Sequence, residues 1–232
     1  MASRGDQPAQ EPGTYTPQQM TALQALCERN VSNEHLHQAA LYVSSLLNSA
    51  GIVHALMGGW SLHLRGSARR TVDIDFACGC NMNDLKIALK GQPKVLWPAG
   101  PTSGVARIFT QVEDQNMPEM WVEVDLLLSG AFGLVSVDEF PSIIELIPYQ
   151  DVNFPVLNIE RIMKTKLEAY RQRHTAKDFE DLIFLIQRYY TEIYEVRSAL
   201  DFNHRQAFYN AYASRNGPQR AARVKHTLGL AG

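Results

Sequence analysis

The 232-residue chain has only three cysteines, Cys27, Cys78 and Cys80. An odd number cannot all pair internally, and Cys78 and Cys80 stand two residues apart on a strand-like segment, too close to bridge without strain. No disulfide partner is therefore expected, and a reducing, cytoplasmic setting fits best. Long hydrophobic runs are lacking too. No uninterrupted apolar stretch nears membrane-span length, and "MASRGDQPAQEPGTYTPQQM" holds no apolar core of the signal-peptide kind, so neither a spanning nor a secretory segment is expected. Charge of one sign is also missing: the formal net charge is -2, so no overall field selects nucleic acid or an acidic surface, although local basic stretches remain. Internal repeats and low-complexity tracts are absent. Neither the seven histidines nor the Cys78-Gly79-Cys80 run has the ligand spacing of a zinc site.

What is present is a composition of 45% hydrophobic and 20% charged residues, that of a globular protein with one large domain or two small ones. Residues 1–16, rich in Pro, Gly and Gln, read as a disordered tail. From Pro17 the apolar residues Met20, Leu23 and Leu26, then Leu36, Ala40, Val43, Leu46 and Leu47, recur at steps of three and four, predicting two amphipathic helices, with Ser32 or Asn33 capping the second and Gly51 stopping it. "IVHALMGG" reads as a buried strand entering a glycine turn, "WSLHL" as a brief helix, and "TVDIDFAC", "ARIFTQV" and "WVEVDLLL" as strands. "NDLKIAL" reads as a capped helix, and everything after Asn158 is helical in period. Turn formers in "YQDVNFPVLN" place a boundary near Pro155. The expected organisation is α+β: a small mixed sheet covered by helices over residues 17–155, a helical bundle over 156–215, and a flexible basic tail over 216–232 carrying Arg220, Arg223 and Lys225.

Chemistry concentrates in "MGGWSLHLRGSARRTVDIDF", residues 57–76. Side chains alternate along a strand, so Asp73 and Asp75 share one face while Val72, Ile74 and Phe76 share the other. Adjacent acids repel unless solvent screens them or a divalent cation sits between them. "WVEVDLLL" offers a further acid: Glu123 and Asp125 share a face, and a neighbouring antiparallel strand would bring Asp125 beside the first pair. Gly58 and Gly59, at a strand-to-helix turn, let backbone amides approach a phosphate, and Ser61 adds a hydroxyl. Alone, an Asp-apolar-Asp run is usually a wet strand face and a Gly-Gly pair usually a turn. An apolar residue, Gly-Gly, thirteen residues, Asp-apolar-Asp and then an acid on a later strand is a combination that chance seldom produces. Further on, Lys166 and Arg173 lie seven apart, on one helical face two turns apart, where they suit phosphates or form an exposed basic face. Asp178 serves equally as a first-turn acid answering a helix dipole.

"MGGWS" through "DIDF" resembles the signature of the nucleotidyltransferase superfamily, whose fold is polymerase-β-like. "GSARRTVDID" is similar to the AbiEii-type toxin branch, with Gly66, Ser67, Arg69, Thr71, Asp73 and Asp75 in matching places. "IMKTKLEAYRQRHTAKDFEDLIFL" resembles that branch's later segment through Lys166, Arg173, Lys177 and Asp178. By motif the resemblance covers residues 55–76 and 121–186, roughly two-fifths of the chain. It implies a cytoplasmic transferase that moves NMP from an NTP onto an acceptor hydroxyl or phosphate with Mg²⁺ or Mn²⁺. Asp73, Asp75 and Asp125 would be metal-binding and catalytic, with Lys166 catalytic as well. Gly58, Gly59, Ser61, Arg69, Thr71, Lys166, Arg173, Lys177 and Asp178 would bind the nucleotide. Either tRNA or a small hydroxylated molecule suits the acceptor role. Two alternatives keep the fold without NTP transfer: a tRNA-binding or aminoacyl-tRNA-dependent cyclodipeptide synthase, and a regulatory nucleotide-binding module. The departures are residues 77–106, which match no family pattern, and Trp60, bulky where smaller residues often follow the glycines.

Overall fold

The computed structural model describes residues 11–114, 117–130 and 136–230. Chain contacts divide it into two units, residues 1–60 with 69–138 and residues 61–68 with 139–232. The first carries the strands β1 (Thr14–Tyr15), β2 (His54–Met57), β3 (Asp73–Cys78), β4 (Val95–Pro98), β5 (Val105–Asp114) and β6 (Met117–Leu128), in the spatial order β1-β4-β5-β6-β3-β2. Its helices are α1 (Pro17–Asn30), α2 (Asn33–Ser49) and α4 (Met82–Leu89), while α3 (Gly58–Leu64) begins in this unit and runs into the second.

Local sequence accounts for the helix limits. Thr16 and Ser32 cap α1 and α2 through hydrogen bonds to the amides of Gln19 and His35, and Asn81 caps α4. Helix α2 ends at Ala50, followed by Gly51 at φ 68°. Strand register then sorts the side chains into two faces. Ile74, Phe76, Val122, Val124, Leu126, Ala106 and Ile108 fall on one face and are fully buried. Their alternates Asp73, Asp75, Glu123, Asp125 and Arg107 fall on the other. Helix α2 packs on β3, β5 and β6 with Leu36, Ala40, Val43 and Leu47 buried, so hydrophobic burial holds the strands that carry the acids in register.

The second unit contains a hairpin of β7 (Ile144–Tyr149) and β8 (Val152–Leu157), then α5 (Ile159–Arg173), α6 (Ala176–Arg188), α7 (Tyr190–Val196), α8 (Phe202–Ala213) and α9 (Pro218–Thr227). The hairpin turns through Gln150 at φ 51°, in the left-handed region. Asn158, Thr175 and Asp201 cap α5, α6 and α8. An aromatic cluster of Tyr170, Phe179, Phe208 and Tyr212 joins α5, α6 and α8, with ring centroids 5.3–6.3 Å apart.

Four sequence expectations change. Pro155 lies inside β8, where it faces Leu146, so the boundary expected there runs through a strand; ladder pairing outweighs the turn formers on either side. The tail expected over residues 1–16 is strand at Thr14 and Tyr15, because the Tyr15 ring is buried edge-on against Phe109, centroids 5.1 Å apart; residues 1–10 lie outside the described residues. Within the basic tail expected over 216–232, Pro218–Thr227 folds as α9, and Ala221, Val224, Leu228 and Leu230 are buried, because apolar residues recur at helical spacing among the basic ones; residues 231–232 lie outside the described residues. Strand β6 runs parallel to β3, not antiparallel, because β5 lies between the chain's departure from β3 and its return.

Candidate functional site

Parallel pairing of β3 and β6 sets Asp73 opposite Glu123 and Asp75 opposite Asp125, so four carboxylates occupy the same face of two neighbouring strands. Side-chain alternation makes this inevitable once the register is fixed. Thr71, just before β3, donates its hydroxyl to Asp73 Oδ1 at 2.6 Å, fixing the carboxylate at the strand's first residue.

The two glycines sit against the same acids. Gly58 has φ 64°, and a Cβ there would lie 1.7 Å from Asp75 Oδ2. A Cβ on Gly59 would lie 2.4 Å from Thr71 Oγ1 and 3.1 Å from Arg69 Nη2. Asp75 and Thr71 therefore rest directly on bare backbone, and a side chain at either position would push them away. Register supports this closeness, since Met57, the residue before Gly58, pairs with Asp75 across β2 and β3.

On β5, Arg107 lies opposite Asp125. Its Nε and Nη2 donate to Asp125 Oδ1 and Oδ2 at 2.7 and 2.8 Å, and Nε also lies 2.8 Å from Glu123 Oε1. Gln24 of α1 donates to Glu123 Oε1 at 3.0 Å, and the Tyr15 hydroxyl donates to the Arg107 carbonyl at 2.8 Å. The bond to Asp125 holds the Arg107 guanidinium above its ordinary pKa, against the opposing effect of burial. Burial raises the Glu123 carboxyl, with Asp125 and Asp73 adding to the rise and the Gln24 bond and Arg107 opposing it. Burial also pushes the Tyr15 phenol up to about 12. Arg107, Glu123, Gln24 and Tyr15 are the residues that motif reasoning passed over. A partial signal existed for the arginine: "ARIFTQV" and "WVEVDLLL" flank the turn formers "EDQN", which predicts a hairpin, while the register that puts position 107 across from 125 is set by the strand pairing itself.

Asp73, Asp75, Glu123 and Asp125 form an all-oxygen donor set of the kind that suits a hard divalent cation, and the glycine cradle brings Asp75 against the backbone. In this structure Arg107 engages both oxygens of Asp125, and among the described residues no three His, Cys, Asp or Glu side chains converge closely enough to hold a metal ion.

The other expected site residues belong to the second unit. Ser61 is fully buried on α3, away from any exposed surface. Lys166 of α5 donates to Asp181 of α6 at 2.6 Å, with the lysine side chain 12% and the aspartate 1% exposed. Arg173 reaches Asp178 through Nε at 3.2 Å and Nη2 at 2.8 Å, and Asp178 also accepts from the Thr175 hydroxyl at 2.6 Å. The Arg173 side chain stays 60% exposed, and Lys177 is exposed as well. Within that unit these groups join α5 to α6 as two ion pairs at the top and middle of the helix pair.

No curated protein matches the chain significantly. A crystal structure of an antigenic nucleotidyltransferase-like protein from Paracoccidioides brasiliensis is similar in fold, with a TM-score of 0.54 at 16% identity over 82% of this chain and 93% of that one. A protein of Thermotoga maritima provisionally named a nucleotidyltransferase is more distant, with a TM-score of 0.40 at 12% identity over 67% of this chain and 97% of that one. The family described as nucleotidyl transferase AbiEii toxin, Type IV TA system, matches residues 48–229.

Proposed function

The chain belongs to the AbiEii family of nucleotidyl transferases, and from that premise we propose that it moves NMP from an NTP to an acceptor, with tRNA the acceptor most consistent with the family. The observation that carries this reading is the Gly58 contact, which ties a phosphate-type glycine turn to Asp75 and, through register, to Asp125. Asp73, Asp75 and Asp125 would hold Mg²⁺ or Mn²⁺, which when bound neutralises phosphate charge and polarises the α-phosphate.

The chain's own groups do the rest. The bare backbone at Gly58 and Gly59 lets Asp75 and Thr71 close directly onto the turn, which sets its amides beside the acids where a phosphate and its cation would meet. Arg69 and Thr71, packed against Gly59, frame the same turn from the other side. Thr71 keeps Asp73 in one rotamer, so that carboxylate need not be ordered when substrate arrives. Asp125 is the group proposed to take the proton of an acceptor hydroxyl as its oxygen attacks the α-phosphorus and pyrophosphate departs. In the second unit, Arg173 and Lys177 carry exposed positive charge of the kind that suits phosphate. Lys166 contributes indirectly, by fastening α5 to α6 through Asp181.

Incubation with α-labelled NTPs and either total tRNA or a panel of small hydroxylated molecules tests the proposal. Label is expected on tRNA, and Asp73→Asn is expected to abolish labelling while the circular dichroism spectrum stays unchanged. Label on tRNA that survives Asp73→Asn would overturn the assignment of the site, and label confined to small molecules would overturn the acceptor.

A further inference from the structure

Resting on that reading, we propose that Arg107 is a latch on the third carboxylate, a positioning residue that denies Asp125 to a free cation and yields it when the cation arrives with nucleotide. Arg107 and Asp125 are direct cross-strand partners, so their side chains leave the same face of the sheet at adjacent positions. The guanidinium saturates both Asp125 oxygens at 2.7 and 2.8 Å and bridges to Glu123 at 2.8 Å. The two carboxylates are 19% and 12% exposed and the arginine 36%, so the fork is partly withdrawn from water and stronger than a surface pair. The strand beneath is pinned as well, because the Tyr15 hydroxyl holds the Arg107 carbonyl and Gln24 holds Glu123.

A divalent cation uses Asp125 only after that fork opens. A free cation gains one carboxylate and costs the guanidinium its bidentate partner, leaving it the single contact with Glu123. A cation carried by triphosphate brings its own acceptors, and phosphate oxygens accept the fork of an arginine as well as a carboxylate does. Exchange of Arg107 from Asp125 to phosphate thus couples cation and nucleotide binding, each strengthening the other by the same factor.

Mn²⁺ titration of the full chain, followed by electron paramagnetic resonance with and without a non-hydrolysable NTP, tests this through wild type, Arg107→Lys and Arg107→Gln. Lysine keeps the charge and loses the planar fork, which separates a latch from plain electrostatics. Without nucleotide, Mn²⁺ is expected to bind about threefold tighter to Arg107→Lys and about tenfold tighter to Arg107→Gln than to wild type. The gain in Mn²⁺ affinity produced by nucleotide is expected to shrink in the same order. Arg107→Lys indistinguishable from wild type, or Arg107→Gln no tighter, would overturn the latch; if Arg107→Gln fails to fold, Arg107→Lys decides alone. Nucleotide-dependent Mn²⁺ binding that is normal in wild type and unaltered in the variants overturns the latch only. Wild type that binds no Mn²⁺ even with nucleotide overturns the transferase site and the latch together.

Discussion

Gly58 shows how much one missing side chain decides. Its φ of 64° and the 1.7 Å that would separate a Cβ from Asp75 Oδ2 act together, so Gly58→Ala is expected to cost about 1–3 kcal/mol of backbone strain before the carboxylate is displaced. A urea-unfolding midpoint at the wild-type value would refute that expectation. Thr71 is the complementary case, since it adds a bond where the glycine makes room. Thr71→Val keeps the shape and removes the 2.6 Å bond to Asp73, for an expected loss of about 1.5–3 kcal/mol, the usual range for a hydrogen bond to a charged group. Among the cysteines, burial pushes Cys27 and Cys80 up to about 11 and Cys78 well above the ordinary thiol value, which leaves them as inert thiols in the packed interior.

Helices α5 and α6 are joined by charge as well as by their apolar faces. Asp178 is 2% exposed, lies in the first turn of α6, and accepts from Arg173 and Thr175; Asp181, one turn on, is 1% exposed and accepts from Lys166. Breaking a buried pair by removing one partner costs far more than replacing both. Lys166→Met is therefore expected to lower stability by about 3 kcal/mol, and Lys166→Met with Asp181→Leu to recover much of it. Equal destabilisation in the single and double variants, read by chemical denaturation, would show that the lysine acts outside this pair. The outcome also bears on function, because labelling activity that returns with the double variant identifies Lys166 as structural.

At the scale of the whole molecule, two expectations concern parts the motif does not touch. A chain ended after Asn216 loses α9 and the burial of Val224, Leu228 and Leu230, each worth about 1.5–3 kcal/mol, and strips Arg205 of its acceptor at the Leu228 carbonyl. A marked fall in melting temperature is expected, and an unchanged one would make the segment dispensable. Acid should weaken the fold through His54, whose imidazole burial holds below 6.5. The unfolded chain takes up that proton first, so the stabilisation is complete above about pH 6.5 and is lost as pH falls through the depressed folded value. His54→Gln should flatten the decline in unfolding midpoint between about pH 7 and 5, leaving a remainder to His37, which burial lowers likewise. A decline as steep as in wild type would refute this. The sequence by itself determined the elements that local rules govern: the capped helices, the alternation that puts Asp73 and Asp75 on one face, and the glycine turn before them. These follow from side-chain period and capping chemistry within a few residues. It could not determine that β6 runs parallel to β3, that Arg107 closes on Asp125, or that Lys166 and Asp181 form a buried pair, because each is a pairing between distant positions. Register and burial fix such pairings only when the whole apolar face is packed, and that packing belongs to the tertiary structure alone.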